Sequence, residues 1–139
     1  MVYNLLMLMS WIVCRMPHSW LMVLGKGLGV LYYKFIKKQR NLAIKQMKES
    51  LQISQQEAEK LVRLSFINMG RNFMEVLYMP ALNKKNFSKY IEIDHLEIME
   101  QALAEKRGVV VLTGHVGNWE WLSASFTMND MPVTAIAKP

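Results

Sequence analysis

Residues 108–122 constrain the fold of this chain more than any other segment. Residues 109–113, Val-Val-Val-Leu-Thr, form a short apolar run between two glycines. A run of this length and composition is typical of a buried strand in a parallel sheet. His115 and Glu120 follow it, five positions apart. Many α/β enzymes have a catalytic base at the carboxyl edge of the sheet. There, a buried strand ends and is followed by an imidazole and a carboxylate.

The segments around this run predict an alternating order of strands and helices. Strands are predicted at 89–93, 109–113 and 133–137, and helices at about 95–106 and 118–128. Asp94 is expected to cap the first of these helices, and Gly108 to end it. The β-α-β-α-β order predicts a partial parallel sheet with right-handed crossovers, so residues 39–139 are interpreted as the N-terminal part of an α/β domain.

Two more helices are predicted upstream of the sheet. Residues 41–52 are amphipathic. Ser54 and Glu57 have the spacing of a capping box, so a long helix is expected from there to about Met79, with Pro80 ending it. The apolar positions of this long helix recur with a period of 3.6 residues, at Ala58, Leu61, Val62, Met69, Phe73, Val76 and Leu77.

The N-terminus is the most apolar part of the chain. Two apolar runs, 1–14 and 20–36, are separated by a short segment that contains Pro17. Neither run has the 18 uninterrupted apolar residues of a secure spanning helix, and the features of a cleaved signal peptide are missing. We therefore expect residues 1–38 to form a membrane-anchoring apolar helix or a helical hairpin that lies in one leaflet. A buried helix pair of a soluble domain is the alternative.

The charge distribution favours anionic partners. The formal net charge is +6, and no acidic residue occurs between Lys26 and Lys48. A basic cluster beside an apolar segment is typical of proteins that contact anionic membrane lipids or an acidic protein, and it places this end of the chain on the cytoplasmic side. No helix-turn-helix, zinc-finger or aromatic RNA-binding pattern is present, so nucleic acid is not an expected partner.

The segment around His115 predicts general-base chemistry. With His115 in the loop and Glu120 in the first turn of the next helix, the carboxylate can accept an imidazole N–H and stabilise the imidazolium. Gly114 and Gly117 allow a sharp turn, and the amides of 117–119 can hold a phosphate or a developing oxyanion. One His and one Glu without a third ligand do not predict a metal site, and no Gly-x-Ser-x-Gly hydrolase motif occurs.

Residues 114–120, Gly-His-Val-Gly-Asn-Trp-Glu, resemble the signature of the late acyltransferases of lipid A biosynthesis, the lauroyl and myristoyl transferases. That family is related to the glycerolipid acyltransferases, which carry a His-x4-Asp box. Segments 40–42, 70–75 and 91–96 resemble the family in the same order. The resemblance covers nearly the whole chain and implies a sheet of the glycerolipid-acyltransferase type.

The resemblance implies a reaction at the cytoplasmic face of the bacterial inner membrane. A fatty acyl group passes from a thioester, usually acyl-acyl carrier protein, to a hydroxyl of a lipid A precursor, with no cofactor. His115 is then the general base and Glu120 orients it, while Gly117, Asn118 and Lys138 are substrate-binding candidates. Family members usually have Arg-Pro where this chain has Lys138-Pro139, and Lys keeps the charge but loses the bidentate geometry.

Two alternatives stay open at this point. A glycerolipid or lysophospholipid acyltransferase would perform the same chemistry on another acceptor, usually with Asp in the box. An inactive membrane-bound fragment is the other alternative, because family members are about twice as long as this chain. We therefore expect the chain to be the N-terminal half of a longer enzyme.

Overall fold

The computed structural model describes residues 2–131 and 133–134, and the regular elements within them are helices. The α-helices are α1 (Val2–Val13), α2 (His18–Phe35), α3 (Lys37–Leu51), α4 (Gln55–Tyr78), α5 (Leu96–Ala104) and α6 (Trp119–Met128), with short 3₁₀ helices at Met79–Ala81 and Phe87–Lys89. The chain divides into two compact units, unit 1 (Met1–Pro80) and unit 2 (Ala81–Pro139).

The start of α4 confirms the predicted capping box. The Ser54 hydroxyl accepts a hydrogen bond from the Glu57 backbone N–H at 3.2 Å, and the Glu57 carboxylate accepts one from the Ser54 backbone N–H at 3.0 Å. The hydrogen bonds from Ser54, through its side chain first and its backbone second, lower the pKa of Glu57 below its ordinary value. The helix ends at Tyr78, and Pro80 lies in the 3₁₀ helix that follows.

The most extensive helix contact in unit 1 is the crossing of α2 over α4, and it depends on three glycines. A Cβ added to Gly25 would lie 2.7 Å from the Cα of Arg71, and a Cβ added to Gly29 would lie 2.6 Å from the Cα of Ile67. A Cβ on Gly70 of α4 would lie 2.6 Å from the backbone N of Gly29. The two backbones therefore touch, which only glycine permits at these positions.

The amphipathic helix predicted at 41–52 is confirmed as α3, which packs on α4. The buried cluster at this contact consists of Ile44, Ala58, Val62 and Phe66, with Tyr33, Ala43, Met47 and Ile53 packed against it. The predicted apolar face of α4 is confirmed in part, because Leu61, Met69 and Phe73 stay 39%, 52% and 43% exposed.

The predicted α/β fold with a parallel β-α-β-α-β sheet is wrong, because the described residues contain no strand. Residues 109–113 are irregular, with Val110 and Leu112 89% and 94% exposed. Residues 89–93 continue from the 3₁₀ helix Phe87–Lys89 into a turn and irregular backbone. A parallel strand forms only when a neighbour pairs with its N–H and C=O groups, and no described segment does so. Most of the third predicted strand, 133–137, lies outside the described residues.

Both helices predicted in unit 2 are present, but the cap of the first is wrong. The N-cap of α5 is His95 rather than Asp94, and its φ of 56° is in the left-handed region, with no side-chain capping hydrogen bond. The helix ends at Ala104, before the predicted stop at Gly108. The predicted start of α6 at Asn118 is confirmed, since this residue is the N-cap.

Of the anchors expected for residues 1–38, a helix that spans the membrane does not agree with the structure. None of the helices in the described part of the chain is long and apolar enough to cross a bilayer. At 12 residues, α1 rises about 18 Å, against a hydrocarbon core of about 30 Å. The longer α2 has 18 residues and includes Lys26 and Lys34. The segment around Pro17 separates the two helices, so they do not add up to one span.

Candidate active site

The candidate active site is the loop that leads from residue 114 into α6. The Val116 N–H donates to the Gly114 carbonyl at 2.8 Å and closes a tight turn around His115. Gly117 has a φ of 61°, and a Cβ placed there would meet nothing within 4 Å. The left-handed backbone conformation, rather than crowding, is therefore what favours glycine at position 117.

As predicted, His115 lies in the loop before α6 and Glu120 in the first turn of that helix, but the strand expected to lead into this loop is absent from the described residues. His115 is exposed, and its ring meets the Trp119 ring edge to face with centroids 4.4 Å apart. Glu120 is half-buried. No hydrogen bond or ion pair joins His115 to Glu120, both of which the structure describes, so the catalytic dyad stays a prediction. It requires the imidazole to turn from Trp119 towards Glu120.

Asn118 caps α6, in addition to its predicted contact with substrate. Its side-chain oxygen accepts a hydrogen bond from the Trp121 backbone N–H at 3.3 Å and caps α6. Trp121 is buried, and its ring meets Tyr90 edge to face with centroids 6.2 Å apart. These contacts hold the first turn of α6, which carries Glu120, against the segment of unit 2 that contains Tyr90. Lys138, the third predicted substrate contact, lies outside the described residues.

The other two histidines each face a glutamate. The exposed His95 Nδ1 lies 3.0 Å from Glu97 Oε1, and the pKa of Glu97 is lowered, first by its own backbone N–H and then by His95. In unit 1, His18 Nε2 lies 3.6 Å from Glu75 Oε1, with both side chains mostly buried. No role for His18 is predicted from the sequence, because 57 positions separate it from Glu75 and no local pattern links them. Within the described residues, no group of three or more His, Cys, Asp or Glu could hold a metal ion.

The comparison with protein families identifies the family of this chain. The family model described as bacterial lipid A biosynthesis acyltransferase matches residues 1–139, which is the whole chain. The chain belongs to this family. The resemblance seen at residues 114–120 is thereby confirmed, and the match extends it through the helices of both units.

Relatives of this family member include several named acyltransferases. The chain is 25% identical to the lipid A biosynthesis lauroyltransferase of Escherichia coli (strain K12) over 130 residues, which cover 93% of this chain and 42% of the relative. The lipid A biosynthesis palmitoleoyltransferase of the same organism is 24% identical over 106 residues, or 76% of this chain and 35% of the relative.

A third relative is named for a different acceptor. The phosphatidylinositol mannoside acyltransferase of Mycolicibacterium smegmatis (strain ATCC 700084 / mc(2)155) is 25% identical over 80 residues, or 58% of this chain and 26% of the relative. The chain therefore spans less than half the length of the curated relatives that it matches. No solved structure matches the chain significantly.

Proposed function

We propose that this chain forms the N-terminal part of an acyltransferase that moves a fatty acyl group from acyl-acyl carrier protein to a hydroxyl of a lipid A precursor. The observation that carries the proposal is the family match over residues 1–139, which includes the Gly-His-x4-Glu motif. Two of the relatives are named for transfer of lauroyl and palmitoleoyl groups in lipid A biosynthesis, which supports both the acyl group and the acceptor.

In the proposed mechanism, His115 is the general base. Its imidazole removes the proton from the acceptor hydroxyl, and the oxygen attacks the thioester carbonyl carbon. The C–S bond of the resulting tetrahedral intermediate breaks, and the departing thiolate takes the proton from the imidazolium. Glu120 accepts the other imidazole N–H and stabilises the imidazolium while it exists. The exposure of His115 supports this role, because the acceptor must reach the ring.

In the proposed mechanism, the N-terminus of α6 stabilises the negative charge that develops during the reaction. Its first backbone N–H groups lack partners within the helix, and the helix dipole is positive at this end. The left-handed Gly117 and the capping Asn118 set the direction of these amides. In the proposed mechanism they stabilise either the oxyanion of the tetrahedral intermediate or a phosphate of the acceptor.

Acceptor profiling tests the proposed function. We expect the complete protein, as it is encoded, to transfer an acyl group from acyl-acyl carrier protein to a lipid A precursor, with the product seen by mass spectrometry. The same assay includes a lysophospholipid and a phosphatidylinositol mannoside as competing acceptors. Preference for the lysophospholipid would replace the lipid A proposal by a glycerolipid acyltransferase. Preference for the mannoside would place the chain with its mycobacterial relative.

We further propose that unit 1 lies on the cytoplasmic face of the bacterial inner membrane, with α2 in the plane of the interface. Apolar side chains three or four positions apart along α2 are exposed, among them Trp20 (63%), Leu24 (45%), Leu28 (42%) and Leu31 (52%). The basic α3 follows at once, with five Lys or Arg and one Glu. An apolar stripe beside a cationic helix supports binding to a surface of anionic lipids.

Replacing Trp20 and Leu24 by serine is expected to weaken binding to phosphatidylglycerol vesicles by at least about tenfold. Each side chain contributes roughly 1.5 to 3 kcal/mol when it leaves water, and 1.4 kcal/mol corresponds to a factor of ten. Both are exposed, so unit 1 keeps its fold. Vesicle flotation of the purified protein measures the change, and Leu64→Ser, at a 47% exposed leucine on α4, is the matched control. Equal flotation of the double variant and the control would refute the in-plane placement.

A further inference from the structure

The side chain of His115 is oriented by an aromatic ring rather than by a carboxylate. The turn closed by the hydrogen bond from the Val116 N–H to the Gly114 carbonyl fixes the backbone at this position. The imidazole then meets the Trp119 ring, with centroids 4.4 Å apart and ring planes at 69°. Within the described residues, the imidazole makes no hydrogen bond or ion pair. We call this ring pair the resting contact.

Trp119 and Glu120 are alternative partners for the imidazole. They are consecutive residues in the first turn of α6, so their side chains leave the helix about 100° apart. A hydrogen bond to Glu120 requires an imidazole nitrogen about 3 Å from the carboxylate, and the resting contact holds the ring elsewhere. Formation of the His115–Glu120 dyad therefore breaks the resting contact.

Trp119 is not required for the start of α6. The helix is capped by the Asn118 side chain and anchored by the buried Trp121, which meets Tyr90. Trp119 itself is 40% exposed. A substitution at this position should therefore change the partner of the imidazole and leave the helix in place.

A base that is exposed to solvent can activate water as well as an acceptor hydroxyl. If His115 were always paired with Glu120, the imidazole could take a proton from water, and the water oxygen could attack the thioester carbonyl carbon. The C–S bond would break, and the thiolate would take the proton from the imidazolium. The products would be a free fatty acid and a free thiol, so the acyl donor would be consumed without transfer.

We propose that Trp119 is a positioning residue that favours the acceptor hydroxyl over water. The resting contact keeps the imidazole away from Glu120 in the absence of acceptor. The acceptor, when it occupies the space beside His115, displaces the imidazole from Trp119 and lets it turn to Glu120. The role rests on the proposed function for the reaction, whereas the ring contact stands on the geometry of the loop.

Trp119→Leu tests this role in the complete protein, with acyl-acyl carrier protein as the donor. In the absence of the lipid A precursor, we expect release of free thiol to rise by about two- to tenfold. This range corresponds to the roughly 0.5 to 1.5 kcal/mol of an edge-to-face aromatic pair. At saturating acceptor, kcat for transfer should stay unchanged, and KM for the acceptor should fall, because binding no longer has to break the contact.

Two further variants separate positioning from a general disturbance of the site. Trp119→Phe keeps an aromatic ring, so its hydrolysis should stay below that of Trp119→Leu. In a Glu120→Gln background, Trp119→Leu should give no gain in hydrolysis, because the released imidazole has no carboxylate to meet. Trp11→Leu is the matched control at a 57% exposed tryptophan of α1, and it should leave hydrolysis unchanged.

The resting contact can also be observed without turnover. The Trp119 ring current should displace the C–H resonances of His115 in isotope-labelled protein, and Trp119→Leu should abolish that displacement. An unchanged His115 resonance in Trp119→Leu would overturn the contact. Unchanged or slower hydrolysis in this variant, beside normal transfer by the wild type, would overturn only the role of Trp119. A wild-type protein that neither transfers nor hydrolyses acyl groups would overturn the proposed function and this role together.

Discussion

Gly29→Ala should lower the free energy of unfolding by about 3 kcal/mol or more. The added Cβ would lie 2.6 Å from the Cα of Ile67 and 2.9 Å from the carbonyl carbon of Phe66, both backbone atoms of α4. A backbone cannot rotate away as a flexible side chain can, so α2 must move off α4. Leu21 is fully buried on the same face of α2, two turns before Gly29, so that movement should also expose it. Chemical denaturation followed by far-ultraviolet circular dichroism measures the change.

Gly27→Ala is the matched control for this prediction. Gly27 lies two residues away in the same helix, and a Cβ there meets nothing within 4 Å. Alanine at such an exposed helical position should raise the free energy of unfolding by up to about 1 kcal/mol, because it restricts the unfolded chain and favours the helix. Opposite signs for the two substitutions are expected. Similar stability changes in both would mean that the α2–α4 crossing is looser than the structure shows.

His115→Ala should reduce the rate of acyl transfer by about 10²- to 10⁴-fold, the usual contribution of a general base. The ring is exposed and its contact is the edge of Trp119, so the substitution should leave the fold intact. Turnover of acyl-acyl carrier protein by the complete protein, measured at saturating acceptor, reports the loss in kcat. His95→Ala removes another exposed imidazole, which lies 3.0 Å from Glu97, and it should leave turnover unchanged.

Glu120→Gln removes the negative charge of the side chain and keeps its shape, so it tests the role of the charge. If Glu120 stabilises the imidazolium, the amide should lower kcat with little change in KM. The residue is half-buried in the first turn of α6, and glutamine preserves its size. Full activity in His115→Ala would remove the general base from the mechanism. Full activity in Glu120→Gln alone would leave His115 as a base that acts without this partner.

The sequence predicted the helices well where the signal was local. The capping box at Ser54 and Glu57 was correct because both partners lie within one turn, so their spacing alone determines the hydrogen bonds. The start of α6 at Asn118 was correct for the same reason. The predicted cap of α5 was wrong. Asp94 and His95 both precede the helix, and the left-handed backbone of His95 makes that residue the N-cap.

The predicted sheet was wrong because its signal was not local. An apolar run such as 109–113 indicates that the segment favours a strand, but a ladder also needs a partner with matching register. Without one among the described residues, the run stays irregular and exposed. The exposed apolar residues of α4 have a similar explanation. The periodicity shows which side of the helix is apolar, but the width of the strip that neighbouring helices cover depends on tertiary packing.

For the candidate site, the sequence by itself determined which residues are proposed to carry the chemistry. The Gly-His-x4-Glu motif and the family that it indicated follow from residue type and spacing, which do not depend on the rest of the chain. Only the tertiary structure decided which distant residues meet. It placed Gly29 against Gly70 and brought His18 to Glu75. Such contacts depend on how helices cross, and this is set by packing between segments that are remote in sequence.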